Sequence, residues 1–246
     1  MSHAVVDKSL PAVPETRFGR WFLRTNVWRR YVVEAALDQF MRQLPATLDR
    51  PRRILDAGCG AGVALPLLDR RLRPDSIVAL DVDSGEVARC RGPASGCRSE
   101  VRLVVGDAAR LALADESIDL VLCHQLLHHA RRQQEILREI HRVLVPGGWL
   151  LLAESCRSFI LSTPVRMMFR HPNEVQKSAA EYQELVRAAG FAFGPTQVAT
   201  TTPFWSLLDW GLSRRLGWGA NRPLEPTQVT LAASKAHTKK TTTPGR

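Results

Sequence analysis

Short apolar runs alternate with segments of helical periodicity along the middle of the chain. Ile54 to Ala57, Ser76 to Asp81, Val101 to Val105, Ile118 to Cys123 and Trp149 to Glu154 read as strands. Ala61 to Leu72, Ser84 to Arg91 and Gln133 to Leu144 read as the helices between them, and Pro146-Gly147-Gly148 reads as a turn. Strands that are apolar throughout and separated by helices predict a parallel sheet covered on both faces. Right-handed crossovers leave few topologies for it. Upstream, Trp21, Phe22, Val27, Trp28, Tyr31, Val32, Ala35, Ala36, Phe40 and Met41 recur at helical spacing, which predicts one or two amphipathic helices over Thr16 to Leu44. Downstream, Ala179 to Ala189 reads as a helix closed by Gly190. Strands are expected around Gln197 to Thr202 and Gln228 to Ala233, with a Trp-, Leu- and Arg-rich stretch from Phe204 to Pro223 between them. The expected organisation is a disordered N-terminus over 1–15, a helical cap over 16–50 and one α/β domain over 51–236. That domain would carry a lid insertion near 204–223, and a disordered basic tail would follow over 237–246.

Composition narrows the class. A chain of 246 residues suits one large domain with additions, and 45% apolar and 24% charged residues are ordinary for a soluble globular protein. No apolar run approaches the ~20 residues of a spanning helix. The first thirteen residues hold no continuous apolar stretch, so no secretory signal and a cytoplasmic location are expected. Five scattered cysteines without a Cys-x-x-Cys pair suggest reduced thiols, although Cys90 and Cys97 flank a short loop and can pair if oxidised. The net charge of +10 raises nucleic acid or an anionic membrane as partners. The charge is spread rather than striped, and is denser only at Arg17, Arg20, Arg24, Arg29 and Arg30 and in the C-terminal tail.

The first strand runs into Asp56-Ala57-Gly58-Cys59-Gly60-Ala61-Gly62. Glycines at every second position let the main chain turn sharply and let a ligand approach it. The dinucleotide pattern Gly-x-Gly-x-x-Gly fails here, because the third glycine would fall on Val63 or Leu65. A tight strand-to-helix turn without function is the plain alternative. In an open parallel sheet, ligands bind beyond the carboxyl ends of the strands. Asp81 ends the second strand, where a carboxylate can accept from both hydroxyls of a ribose, or can be only a surface acid. Asp83 reads as a helix N-terminal residue. Asp107 and Ala108 follow the third strand and suit an adenine edge, though Gly-Asp is also a plain turn. Cys123 and His124 end the fourth strand and would line the floor of the site. His128 and His129 follow. Either can act as a base or orienting group, or one can pack while the other meets solvent. Neighbouring helical residues do not share a face. No third ligand stands three or four positions away, so no metal is expected unless a distant segment supplies one.

In this order, Ile-Leu-Asp-Ala-Gly-Cys-Gly-Ala-Gly, Leu-Asp-Val-Asp, Gly-Asp-Ala, Ile-Asp-Leu-Val-Leu-Cys-His-Gln-Leu-Leu-His-His and Arg-Val-Leu-Val-Pro-Gly-Gly-Trp-Leu resemble the class I S-adenosylmethionine-dependent methyltransferases. Glu-Leu-Val-Arg-Ala-Ala-Gly-Phe is similar to that family's helix before its final hairpin. The likeness covers about Arg52 to Ala233 and is nearest to the ubiquinone and menaquinone biosynthesis group. It implies a Rossmann-like α/β fold with a seven-stranded sheet of order 3-2-1-4-5-7-6, the last strand antiparallel. It also implies S-adenosyl-L-methionine as cofactor, held by Asp56, Ala57, Gly58, Cys59, Gly60, Gly62, Asp81, Val82, Asp107, Ala108, Cys123 and His124. His128 and His129 remain the catalytic candidates. Departures are Pro66 in the first helix and a loop expected over Arg91 to Ser99 in place of the rest of the second. No Asn-Pro-Pro-Tyr or Asp-Pro-Pro-Tyr follows the fourth strand, which argues against methylation of base amines in nucleic acid.

The implied reaction is in-line transfer of a methyl group to a small-molecule acceptor such as a natural product, quinone or related metabolite. An RNA or protein methyltransferase and a catalytically silent cofactor-binding module are the alternatives. The acceptor wall is expected from the helical cap and the 204–223 insertion, rich in Trp21, Trp28, Tyr31, Trp205, Trp210 and Trp218. The same stripes also read as core and lid packing, or as peripheral membrane contact.

Overall fold

The computed structural model describes residues 16–46, 50–203, 206 and 225–236. The expected disordered N-terminus, the C-terminal tail and all of the 204–223 insertion except Ser206 lie outside the described residues. The chain enters through α1 (Arg17–Phe22) and α2 (Asn26–Trp28), continues through a π-helical turn (Arg29–Glu34), and ends this cap with α3 (Ala35–Gln43). Thr16 and Thr25 cap α1 and α2 with their side-chain oxygens, and so split one amphipathic stretch into two helices.

The βα alternation follows as β1 (Arg53–Ala57), α4 (Leu65–Leu72), β2 (Ser76–Asp81), α5 (Ser84–Arg89), α6 (Arg91–Ser95), β3 (Glu100–Val105), β4 (Ile118–His124), α7 (Gln133–Val143) and β5 (Leu144–Ser155). Then come α8 (Arg157–Ile160), α9 (Thr163–Met168), α10 (Ala179–Ala188), β6 (Phe191–Ala192), β7 (Val198–Thr201) and β8 (Gln228–Lys235). The sheet order is β3-β2-β1-β4-β5-β8-β6, with β7 also paired to β8. β6 and β7 lie antiparallel on successive parts of β8, against Ser234–Lys235 and then Gln228–Leu231. They are therefore one edge strand broken by the turn Pro195–Gln197, since proline cannot donate to the ladder. With that strand counted once, the order is the expected 3-2-1-4-5-7-6, and β8 runs antiparallel to β5.

Alternation along each strand divides the core. Leu55, Val121, Leu150 and Leu152 pack on one face with α7 and α10. Ile54, Leu120, Leu122 and Leu151 pack on the other with α3 and α4. Three expectations shift. The first helix begins at Leu65 rather than Ala61, with Pro66 in its first turn, where a missing N–H costs nothing. Residues 91–95 form a short helix where a loop was expected, because Pro93 also falls in a first turn. The Pro146-Gly147-Gly148 turn lies within β5, where the ladder shifts between Ile118 and Leu120 and Gly147 takes φ of 80°. Among the described residues no helix is long and apolar enough to cross a membrane.

Candidate active site

The strands β1, β2 and β4 end together, and their turns build a cradle. Gly58, Gly60 and Gly62 all have positive φ, at 76°, 51° and 77°. The Gly58 and Cys59 amides both donate to the Leu80 carbonyl, at 2.8 and 3.0 Å, and tie the turn to β2. A Cβ on Gly58 would lie 2.9 Å from Leu126 Cδ1, and one on Gly62 would lie 3.1 Å from Cys90 Sγ. A Cβ on Gly60 would project into open space. Two glycines are thus required by packing, and the third leaves the main chain accessible from outside.

Asp81 Oδ2 accepts from the Gly60 amide and Oδ1 from the Asp83 amide, both at 2.9 Å. The carboxylate is thereby fixed against the cradle with lone pairs to spare, and burial holds its pKa above the usual range. Asp83 caps α5 from its own Oδ1, as expected. Asp56 is buried, and its Oδ2 has no hydrogen-bond partner among the described residues. Burial, reinforced by the Asp81 charge, pushes its pKa up to about 7. Ala57 and Cys59 are buried beneath the turn, and Val82 is exposed. Cys59 Sγ lies 3.7 Å from Cys90 Sγ. Cys97 instead donates to the Pro93 carbonyl, and all five cysteines are free thiols.

Asp107 is held by an ion pair with Arg132, and its Oδ1 accepts from the Ala109 amide at 2.9 Å. Ala108 is buried beside it. Cys123 points into the core, so only its main chain faces the strand ends. The His124 ring stands at the end of β4 with Trp28 edge-on, centroids 6.3 Å apart. Its Nε2 is buried without a partner among the described residues. Desolvation lowers its pKa to about 4, so it is neutral at pH 7.

His128 lies in a short 3-10 turn after β4, and its Nδ1 sits 2.6 Å from Glu154 Oε2. Glu154, fully buried at the end of β5, also accepts from the Leu126 and Leu127 amides at 2.9 and 2.6 Å. The ring of His129 lies 4.2 Å from that of His128, and His171 closes the group at 4.7 and 5.1 Å. Glu154, His171 and Arg132 were not singled out in the sequence. Glu154 had a readable signal, because it ends a buried apolar strand just as Asp56 and Asp81 do. His171 had none, since it sits between α9 and α10 in a segment of no regular pattern.

On the outer side, α1 and α2 bring Phe18, Phe22 and Trp28 together. Phe169 packs edge-on against Phe18 and Phe22 with centroids 6.2 and 6.0 Å apart, and lies 6.2 Å from the His171 ring. A cavity of about 260 Å³ is lined by Ile160, Arg166, Phe169, Arg170, His171 and Asn173. The π-helical turn of the cap carries Tyr31, half exposed, and the buried Val32, whose backbone bonds the His124 ring. The cap thus reaches the end of β4.

Residues 55–152 match a family described as a methyltransferase domain. A probable S-adenosylmethionine-dependent methyltransferase of Mycolicibacterium smegmatis is 35% identical over 196 residues, covering 75% of this chain and 63% of that protein. A malonyl-acyl-carrier-protein O-methyltransferase of Methylococcus capsulatus is 34% identical over 57% of this chain and 52% of its own length. A fatty-acid O-methyltransferase of Mycolicibacterium smegmatis is 31% identical over 55% of this chain and 49% of its own length. The chain therefore spans about half to just under two thirds of these curated relatives. A solved S-adenosylmethionine-dependent methyltransferase from Aquifex aeolicus shares the fold with a TM-score of 0.61 and 18% identity, over 89% of this chain and 97% of that one. The cyclase SpnF shares it equally, with a TM-score of 0.63 and 22% identity over 85% and 81%.

Proposed function

Because the chain belongs to the class I S-adenosylmethionine-dependent methyltransferases, we propose that it transfers a methyl group to a small apolar acceptor carrying an acidic oxygen. The observation that carries this reading is the meeting of two surfaces at the ends of β1, β2 and β4. One is a glycine cradle flanked by Asp81 and a buried Asp56 oxygen that has no partner among the described residues. The other is an aromatic wall of Trp28, Phe22 and Phe169.

The chemistry of the donors fits the family's cofactor. Asp81 can accept from two ribose hydroxyls with the lone pairs its backbone contacts leave over. Asp56 can receive an ammonium, which would relieve the penalty that raises its pKa. The open face at Gly60 lets a ligand approach the main chain, and Gly58, Cys59 and Gly62 hold the turn in that shape. Asp107 and Ala108, with Val82, would border the adenine, with Arg132 fixing the Asp107 carboxylate. When bound, the cofactor supplies a methyl group on a sulfonium, already electrophilic.

The protein's part is then orientation and charge control. Alignment of the acceptor is worth up to ~7–11 kcal/mol of barrier in the favourable limit. Burial keeps His124, His129 and His171 uncharged, so these rings do not themselves repel a sulfonium. Glu154 bonds His128 through Nδ1 and fixes the orientation of its ring on the acceptor side. Arg166 and Arg170 beside the apolar Ile160 and Phe169 suit an acid group on an apolar body. The relatives named for malonyl-acyl-carrier-protein and fatty-acid O-methylation support the same choice. The helical cap over 16–50 and the 204–223 insertion would complete the acceptor wall.

A second reading, a cofactor-binding module without methyl transfer, is favoured by the likeness to a cyclase, since fold does not fix chemistry. The test is incubation of the protein and methyl-tritiated S-adenosylmethionine with a bacterial lysate, split into solvent-extractable, RNA and protein fractions. We expect extractable counts that alkali releases as volatile methanol, as a methyl ester requires. Alkali-stable extractable counts would refute a carboxylate acceptor. Counts confined to RNA or protein would refute the small-molecule reading, and cofactor binding with no transfer would favour the module.

A further inference from the structure

We propose that His128, His129 and His171 bind a divalent transition-metal ion. Each offers one ring nitrogen, and the three nitrogens all lie within 4.8 Å of one another. Zinc–nitrogen bonds of about 2.0–2.1 Å set tetrahedral ligands about 3.3 Å apart, so small side-chain rotations close the site.

Two features outside the cluster point the same way. First, Glu154 receives the Nδ1–H of His128 at 2.6 Å and is itself pinned by two main-chain amides. A carboxylate behind a histidine fixes the tautomer and turns Nε2 toward a metal as a lone-pair donor. Second, the two segments that supply the ligands are clipped together. The buried Gln176 side chain donates to the carbonyls of both His128 and Pro172, at 2.8 and 2.7 Å. The buried Gln133 side chain likewise donates to Leu127 and Val175, at 2.8 and 3.0 Å. The position of His171 against the pair is thus built by four hydrogen bonds rather than left to a loop.

The donor set selects the ion. Three neutral imidazoles suit zinc, cobalt, nickel or ferrous iron, whereas magnesium and calcium seek oxygen ligands. Three protein ligands leave a fourth position for water or substrate, which is the pattern of a catalytic rather than a structural site. His171 also lines the cavity that holds Phe169, Arg166 and Arg170. The ion would hold an acceptor oxygen, a role that rests on the methyl-transfer reading above. The binding of the ion does not.

The experiment uses the untagged full chain, stripped with a chelator and titrated with Co²⁺ alone. We expect one equivalent, the intense visible band of four-coordinate cobalt, and displacement by Zn²⁺. His171→Ala and His129→Ala should each weaken binding at least about tenfold while keeping the circular dichroism spectrum and the affinity for S-adenosylmethionine. Glu154→Gln should weaken it ~10–100-fold. Substoichiometric cobalt, or cobalt bound as in the parent by either folded histidine variant, would overturn the site. Methyl transfer plays no part in the readout, so failure of the catalytic reading leaves this result intact.

Discussion

Replacing Asp56 by Asn should stabilise the protein free of cofactor while weakening its hold on the cofactor. Asp56 is only 2% exposed, and its pKa rises from an ordinary 3.8 to about 7, first by desolvation and then by the Asp81 charge. The native state therefore holds this proton more tightly than the unfolded chain does. Below 3.8 the group contributes nothing. Above it the cost grows with pH and levels off near 7, the reverse of a salt-bridged carboxylate. At ~1.4 kcal/mol for each tenfold change in proton affinity, the full cost is about 4 kcal/mol. About 1.5 kcal/mol of it is already present at pH 5 and nearly all at pH 8, by the same linkage. Urea unfolding of the parent and Asp56→Asn at the two pH values reads this directly. The variant's advantage should grow by about 2–3 kcal/mol between pH 5 and pH 8. Its affinity for S-adenosylmethionine should fall, because the neutral amide no longer attracts an ammonium. In the parent, affinity should climb with pH up to about 7 and then flatten. An advantage that is equal at both pH values, or none at all, would show that Asp56 is not carried as a desolvated acid.

Asp81→Ala should lower cofactor affinity at least about hundredfold, because two hydrogen bonds to a charged acceptor are worth ~1.5–3 kcal/mol each. Unchanged affinity by calorimetry would move the ribose elsewhere. Gly62→Ala should cost about 1–3 kcal/mol in urea unfolding, since φ of 77° disfavours any Cβ and the new methyl would press on Cys90 Sγ at 3.1 Å. A neutral result would show that the turn relaxes out of its left-handed conformation.

The sheet was legible because each strand is read from its own residues. Ile54 to Ala57 and Ile118 to Cys123 are apolar on both faces, and both pack against helices on both sides. The rule that ligands meet strand ends then picked out Asp56, Asp81, Asp107 and His124. Boundaries moved where a proline falls in a helix's first turn. Pro66 and Pro93 both sit in first turns, where they begin helices rather than end them. The broken edge strand has the same origin: Pro195 interrupts pairing with β8, which resumes at Val198.

The His128 surroundings show what local reading misses. Spacing along one helix gave no third ligand for the adjacent histidines, and that inference was sound for a helix. The partners come instead from the end of β5, 26 positions away, and from a segment 43 positions beyond His128. Parallel topology explains the first. β4 and β5 are neighbours in register, with His124 opposite Ala153, so a residue just past the end of one strand meets the acid at the end of the other. Nothing comparable announces His171. Its place is set by Gln176 and Gln133, ordinary polar residues in sequence whose side chains are buried only once the two segments are folded together. A buried amide that donates to two separate main-chain carbonyls is a fastener. Such fasteners hold three imidazoles and a carboxylate in one place, and that placement is what the proposed metal site rests on.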